Sequence, residues 1–192
     1  YFAPTSGNIF LGDTPLQDYD MTSWRHSCGV VLQDSHVFSE SLARNIAVED
    51  KHIDRTRLRT AARQANLEEF IEKLPLKYQT MVGAEGVGLS RGQEQRIFIA
   101  RALYKDPSFV FLDEATNSLD ANNERIITGN LLDFCKGRTV LIVAHRLSTI
   151  RHADRIVVLH KGRIVEEGTH DELCARHGYY YELINNQLIA MG

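Results

Sequence analysis

The sequence predicts an α/β fold in which a mostly parallel sheet is covered by helices. Three uncharged runs, rich in β-branched and aromatic residues, favour this class, and they lie at residues 109–112, 139–144 and 156–159. Because apolar residues fill these runs without alternation, we expect strands that are buried on both faces. The 192 residues, of which 43% are hydrophobic, fit one domain with a sizeable core.

The first part of the chain is predicted to contain two short strands and one long helix. Residues 8–11 form a strand that ends in a turn at residues 12–13, and residues 30–32 form a second strand. Residues 54–73 are predicted to be helical because apolar residues recur at helical spacing and arginines take much of the opposite face. The apolar residues are Leu58, Ala61, Ala62 and Ala65.

A helix cap marks the start of the next long element. Ser90 and Gln93 match the S-x-x-Q capping box, which predicts a helix over residues 91–104. The pair Asp106-Pro107 closes this helix. After the first of the three apolar runs, a further helix is predicted over residues 124–132.

The last part of the chain is predicted to form a hairpin and then helices. A turn at residues 161–162 joins strands at residues 156–160 and 163–167. A second capping box precedes a last helical region, which a glycine interrupts. The box is Thr169 with Glu172, the glycine is Gly178, and the last helix covers residues 179–188.

Composition and charge exclude several classes of protein. The net charge is −3 and the pI is about 6.3, which argues against nucleic acid as the main partner. The apolar runs are too short to span a bilayer, so we expect this chain to be soluble. Cys28, Cys135 and Cys174 are few and far apart, which is typical of free thiols in a reducing compartment.

Two motifs carry the strongest indication of chemistry. The helix that begins after Ser90 presents unpaired backbone N–H groups, which can bind phosphate. The pair Asp113-Glu114 ends a predicted buried strand, where one carboxylate can hold Mg²⁺ and its neighbour, directed elsewhere by strand alternation, can deprotonate water. Taken alone, each motif is more often a plain helix cap than a ligand site.

Three further positions are candidate site residues only because of their order along the chain. Gln33 ends the strand at residues 30–32, Ser118-Leu119-Asp120 follows the acidic pair, and His145 ends the run at residues 139–144. Individually these are an ordinary polar residue, a turn and a strand-end histidine. Together with the two stronger motifs they form one ordered set, and this order suits a nucleotide hydrolase.

From residue 4 to about residue 187, the chain resembles the nucleotide-binding domain of an ATP-binding-cassette (ABC) transporter. The resemblance implies a fold similar to P-loop NTPases, with an inserted helical subdomain. It implies that residues 1–40 and 108–192 form the α/β core, and that residues 41–107 form the helical subdomain with the signature motif.

The resemblance implies a role for each of these residues in binding and hydrolysing ATP with Mg²⁺. Asp113 would hold Mg²⁺, Gln33 would contact the metal and water, and Glu114 would be the catalytic base. His145 would sense the γ-phosphate. The signature would bind the γ-phosphate of ATP held by the other subunit, and an aspartate would lie at the dimer seam. The signature residues are Ser90, Arg91, Gly92 and Gln93, and the seam aspartate is Asp120.

Residues 144–150 and 161–168 resemble exporter-type domains in particular, and residues 115–118 give a weak cue to bacterial peptide or bacteriocin exporters. The implied partners are a second nucleotide-binding domain, as a head-to-tail homodimer, and a membrane domain of the same polypeptide. The implied location is the cytoplasmic face of the bacterial inner membrane. A DNA-repair or chromosome-associated ABC ATPase fits poorly, because coiled-coil heptads and a basic face are absent.

The chain departs from the family pattern in three places. Arg91 replaces a signature glycine, and Ala84 stands where exporters often carry an acid. The sequence also contains no G-x-x-x-x-G-K-[ST] motif. We therefore expect a chain that lacks the N-terminal P-loop strand and helix and is inactive alone. The alternative is a non-enzymatic dimerisation or regulatory module that docks on a transporter membrane domain.

Overall fold

The computed structural model describes residues 4–48, 50–144 and 147–190. The chain divides into two compact units, Tyr1–Leu141 and Ile142–Gly192, and each unit is described by itself. The sequence-based prediction for His145 lies outside the described residues. Within the described residues, no helix combines the length and the apolar content that crossing a bilayer needs.

The first unit combines short strands with helices of one to four turns. Its strands are β1 Phe10–Leu11, β2 Thr14–Pro15, β3 Cys28–Val31, β4 Phe109–Asp113 and β5 Thr139–Val143, and the unit boundary falls within β5. Its helices are α1 Met21–Ser27, α2 Leu42–Ile46, α3 Arg55–Gln64, α4 Glu68–Glu72, α5 Arg91–Lys105 and α6 Ala121–Cys135. Short 3₁₀ helices cover Leu16–Asp18 and Lys77–Gln79.

A three-stranded sheet in the order β3-β4-β5 forms the frame of this unit. β3 and β4 pair in parallel, with Val31 opposite Leu112, which confirms the predicted parallel pairing for this pair of strands. Along β4, Val110 and Leu112 are buried while the alternate residues are half-buried. Trp24 of α1 packs on Phe109, with ring centroids 4.9 Å apart. The fold class is the predicted α/β class.

Helix α5 is the central helix of the first unit. It packs against α2, α3 and β3 and buries most of the residues of its second half. It starts at the predicted capping box and runs one residue beyond the predicted end. Asp106 then takes a left-handed conformation with φ 52°, which turns the chain into Pro107 and β4. Its buried apolar residues are Ile97, Phe98, Ile99, Ala100, Ala102, Leu103 and Tyr104.

The single helix predicted over residues 54–73 is wrong, because α3 and α4 are separated by a turn at Asn66. Asn66 has φ 53°, and its backbone N–H donates to Arg63 O while the N–H of Leu67 donates to Ala62 O. These two bonds form a Schellman motif, for which asparagine is a common left-handed residue. Ala62 and Leu67 are both fully buried, so apolar contact reinforces the stop.

The expected burial of the apolar strands on both faces is wrong for β5 and β6. Leu141 in β5 is 58% exposed, and Leu159 in β6 (Ile156–His160) is 69% exposed. Their burial alternates along each strand, so one face of each carries apolar side chains that this chain leaves uncovered.

The second unit is built on the predicted hairpin of β6 with β7 Arg163–Gly168. Lys161 and Gly162 both have positive φ, 47° and 75°, as a two-residue hairpin turn requires. The helices of this unit are α7 Leu147–Ile150, α8 His170–Arg176 and α9 Tyr179–Ala190. Its core contains Ile156, Val158, Leu173, Tyr180 and Ile184.

Candidate functional site

The ends of β3 and β4 define one edge of the sheet. Because Val31 and Leu112 are partners in a parallel pair, the residues that follow each strand leave the sheet at the same edge. Gln33 lies exposed in a turn two residues after Val31, and Asp113 is the last residue of β4. In open α/β sheets, ligands bind at the carboxyl ends of the strands.

Glu114 follows Asp113 in a conformation that is uncommon for a residue with a side chain. Its φ is 50°, and such strained backbone is concentrated at functional sites. Asn117 holds this turn, because its Nδ2 donates to Glu114 Oε2 at 2.5 Å and its backbone N–H donates to Glu114 O at 3.2 Å. Strand alternation does not set the direction of Glu114, contrary to our expectation, because β4 ends at Asp113.

Helix α5 returns to the same edge, since its first turn contacts the segment that follows β4. The side chain of Gln95 is only 7% exposed, and its Nε2 donates to Ala115 O at 2.8 Å. A Cβ added to Gly92 would lie 3.3 Å from Ser118 O, so this position favours glycine. The start of α5 and the turn after Glu114 are therefore in direct contact.

The signature segment forms the predicted capping box. Ser90 Oγ accepts from the backbone N–H of Gln93 at 3.3 Å, and Gln93 Oε1 accepts from the backbone N–H of Ser90 at 2.8 Å. Arg91 is the first residue of α5, is exposed and has no positive φ. Arg91 in place of the signature glycine therefore carries no cost from a left-handed backbone conformation.

Asp120 begins α6 as its N-cap. Its Oδ1 accepts from the backbone N–H of Asn123 at 3.0 Å, and its Oδ2 accepts from Asn123 Nδ2 at 2.5 Å. These hydrogen bonds, from the side chain first, hold the pKa of Asp120 below its ordinary value. Asp120 is exposed, so its carboxylate is accessible to a partner surface.

The segment after Gln33 is fixed by a buried amide. Asn45 of α2 is 0% exposed, and its Oδ1 accepts from the backbone N–H of Phe38 at 2.8 Å. Its Nδ2 lies within hydrogen-bond distance of the carbonyl oxygens of Phe38, Glu40 and Ser41, at 3.0, 3.3 and 3.2 Å. Residues 38–41 therefore have one defined path.

The donor set at this edge suits Mg²⁺ and ATP. Asp113 and Gln33 offer carboxylate and amide oxygens, which are ligands that hard cations take. Among the described residues, no group of three or more His, Cys, Asp or Glu side chains could hold a metal alone. Mg²⁺ needs no such cage, because it keeps water and takes substrate phosphate oxygens beside one or two carboxylates.

Sequence reasoning missed the amides that hold these segments. Asn45, Gln95 and Asn123 were not singled out, since one polar residue on an apolar face gives little signal. Asn66 offered a weak signal as an asparagine inside an otherwise helical pattern. Of the predicted site residues, Gln33 and the pair Asp113 and Glu114 follow strands that end at one edge, and Ser90–Gln93 start the helix that contacts it. His145 lies outside the described residues.

This fold and this site define an α/β domain of the P-loop NTPase type, with acidic and amide groups at the carboxyl ends of β3 and β4. A family model described as "ABC transporter" matches residues 1–117. The chain is 46% identical over 183 residues to the ATP-dependent lipid A-core flippase of Chromohalobacter salexigens, covering 95% of this chain and 32% of that protein. It is 45% identical to the toxin RTX-I translocation ATP-binding protein of Actinobacillus pleuropneumoniae, over 95% of this chain and 26% of that protein.

The structural comparison agrees with the comparison of sequences. A solved structure of a bacterial Atm1-family ABC exporter with ATP bound matches with a TM-score of 0.92 and 37% identity. The match covers 97% of this chain and 33% of that chain. The chain belongs to the ABC transporter family, as a nucleotide-binding domain of the exporter type. It spans about a third or less of the length of these relatives.

Proposed function

We propose that this chain is the module of an ABC exporter that binds and hydrolyses ATP to power transport across a membrane. The observation that supports it best is the meeting of three segments at one sheet edge. Gln33 and the pair Asp113 and Glu114 leave the sheet there, and Gln95 ties the start of α5 to Ala115. Phosphoryl transfer needs such positioning and charge neutralisation more than covalent chemistry.

In this proposal each residue acts on ATP or its Mg²⁺. Asp113 and Gln33 hold the metal, whose charge neutralises the phosphates when ATP is bound. Glu114 accepts the proton of the attacking water, and His145 contacts the γ-phosphate. A second copy, arranged head to tail, presents its signature and its Asp120 across the seam. The signature residues are Ser90, Arg91, Gly92 and Gln93.

The remaining parts of the proposal concern the whole protein. Residues 41–107 form a helical subdomain on a core of residues 1–40 and 108–192. A membrane domain of the same polypeptide is the transport partner, and the module lies at the cytoplasmic face of the bacterial inner membrane. These 192 residues contain no G-x-x-x-x-G-K-[ST] motif, so the chain by itself is inactive.

Substitution of the base tests the proposal in the exporter that contains this chain. Glu114→Gln is expected to slow ATP hydrolysis by about 10²- to 10⁴-fold while ATP binding is retained. Glu69→Gln, an exposed carboxylate on α4 paired with Lys73, is the matched control and should leave turnover unchanged. Unchanged turnover in Glu114→Gln would remove Glu114 as the base.

Calorimetric titration of the 192-residue chain with Mg-ATP tests the inactivity of the chain alone. No binding is expected at micromolar ATP, because the backbone nest and lysine of a P-loop are not in this sequence. Micromolar affinity would contradict this part of the proposal. Dimerisation of the chain without any ATP binding would favour the alternative of a non-enzymatic docking module.

A further inference from the structure

A chain of polar contacts connects the signature helix α5 to the turn that carries Asp120. Arg96 Nη1 donates to Asn66 O at 2.6 Å and reaches Asn123 Oδ1 at 3.5 Å. Asn66 Nδ2 donates to the same Asn123 Oδ1 at 2.7 Å. Asn123 Nδ2 then donates to Asp120 Oδ2 at 2.5 Å. The side chain of Asn123 thus accepts from Asn66 and from Arg96 of α5, and it donates to the exposed Asp120.

The elements joined in this way carry different parts of the site. Arg96 lies on α5 one turn after Gly92, and its Nε donates to Gly92 O at 3.2 Å. Asn66 is the left-handed residue of the turn between α3 and α4. Asn123 lies in the first turn of α6, three residues after the N-cap Asp120. The position of Asp120 therefore depends on both α5 and the α3–α4 turn.

Asp120 would be poorly fixed without the Asn123 side chain. It is exposed, and its carboxylate also accepts the ordinary capping bond from the backbone N–H of Asn123. The capping bond fixes Oδ1 relative to α6 alone. The amide of Asn123 relates the second oxygen to Asn66 and Arg96, which lie outside α6.

We infer that Asn123 is a positioning residue, which sets the Asp120 turn against the signature helix through Arg96 and Asn66. This inference rests on the proposed function, in which Asp120 and the signature act together at a seam between two copies. The signature and the turn that carries Asp120 would then meet a partner copy at one fixed distance and orientation to each other. Such positioning matters because displacement of a binding group by about 1 Å can cost two orders of magnitude in rate.

Two substitutions of Asn123 separate positioning from simple packing in the exporter that contains this chain. Asn123→Ala removes every side-chain contact. Asn123→Asp keeps an acceptor for Asn66 and Arg96 but replaces the donor to Asp120 with a repelling carboxylate. We expect both variants to lower kcat for ATP by roughly tenfold, with KM changed by less than about twofold.

Asn130→Ala is the matched control on the same helix. Asn130 lies seven residues further along α6, and its Nδ2 donates to Gln64 O at 2.7 Å. In the part of the chain that the structure describes, Asn130 makes no hydrogen bond to Asp120. It should leave kcat unchanged. Wild-type kcat in Asn123→Asp, or an equal loss in Asn130→Ala and Asn123→Ala, would overturn the inference.

A second readout uses the 192-residue chain and needs no turnover. The pKa of Asp120, followed by NMR, should rise towards its ordinary value in Asn123→Ala and stay unchanged in Asn130→Ala, because the hydrogen bond from the Asn123 side chain is the largest cause of the lowered pKa. If the wild-type exporter does not hydrolyse ATP, the proposed function fails, and this titration still decides whether Asn123 holds Asp120. An unchanged pKa of Asp120 in Asn123→Ala would overturn the inference.

Discussion

Asn45 offers the sharpest test of how the segment after Gln33 is held. Its side chain is completely buried and contacts four backbone groups of residues 38–41. Asn45→Ala removes all of these contacts at once. The carbonyl oxygens of Phe38, Glu40 and Ser41 keep backbone partners, since they also accept from Glu40, Val82 and Asn45 N–H groups. The N–H of Phe38 loses the partner that Asn45 gave it.

The expected cost follows from these contacts. A buried donor left without its partner costs about 1–3 kcal/mol, and each other hydrogen bond lost costs about 0.5–1.5 kcal/mol net. The three contacts of Nδ2 share two hydrogen atoms, so we count two bonds. The free energy of unfolding should therefore fall by about 2–6 kcal/mol, a large share of the 5–15 kcal/mol that is typical of a folded domain.

Urea unfolding of the 192-residue chain, followed by circular dichroism, measures this change. Asn122→Ala is the matched control, because Asn122 is exposed on α6 and its loss should change stability by less than about 0.5 kcal/mol. Asn45→Asp should be at least as unstable as Asn45→Ala, since it places a carboxylate against three carbonyl oxygens. A loss below about 1 kcal/mol in Asn45→Ala would refute the reasoning.

Two further predictions concern the second unit and are measured by urea unfolding. Gly178→Ala should destabilise the chain by about 1–2 kcal/mol, because the new Cβ would clash with Glu166 Oε1 and displace the carboxylate that caps α9. A loss of the same size in a Glu166→Ala background would contradict this explanation. Hydrogen bonds from Thr169, its backbone N–H first, lower the pKa of Glu172 from its ordinary value of 4.5. The ionised Glu172 carboxylate therefore adds to the free energy of unfolding above about pH 4.5, and this contribution is lost as the pH falls through the lowered pKa. Glu172→Gln should lose less stability than wild type between pH 7 and pH 3, and equal losses would contradict the role of Glu172.

Local patterns predicted the elements well where one interaction decides them. The capping boxes at Ser90 and Thr169 and the hairpin turn at Lys161 are present as predicted. Each depends on residues three or fewer positions apart, so the sequence carries the full information. The end of α3 at Asn66 is also set by local contacts. Its Schellman motif, however, needs a residue in the left-handed conformation, which helical periodicity alone does not reveal.

Burial could not be predicted in the same way. The apolar run of β5 reads as a strand covered on both faces, yet Val143 and Leu141 are more than half exposed. Apolar content reports what a strand can bury, whereas exposure depends on the neighbours that are present. The same limit applies to the candidate site. The order of the motifs predicted its carboxylates, but it did not predict the contacts that hold them.

Amide side chains hold the three segments that carry the candidate site. Asn45 fixes the residues after Gln33, Gln95 fixes the turn after Glu114, and Asn123 fixes the turn at Asp120. An amide carries a donor and an acceptor together, so one side chain can satisfy backbone groups of both kinds. It also has no charge. A lysine or glutamate in the same place would shift the pKa values of the nearby carboxylates and alter the field at a bound phosphate. In the proposed function these carboxylates must stay ionised beside ATP, and a neutral amide contacts each of the three segments without adding a charge of its own.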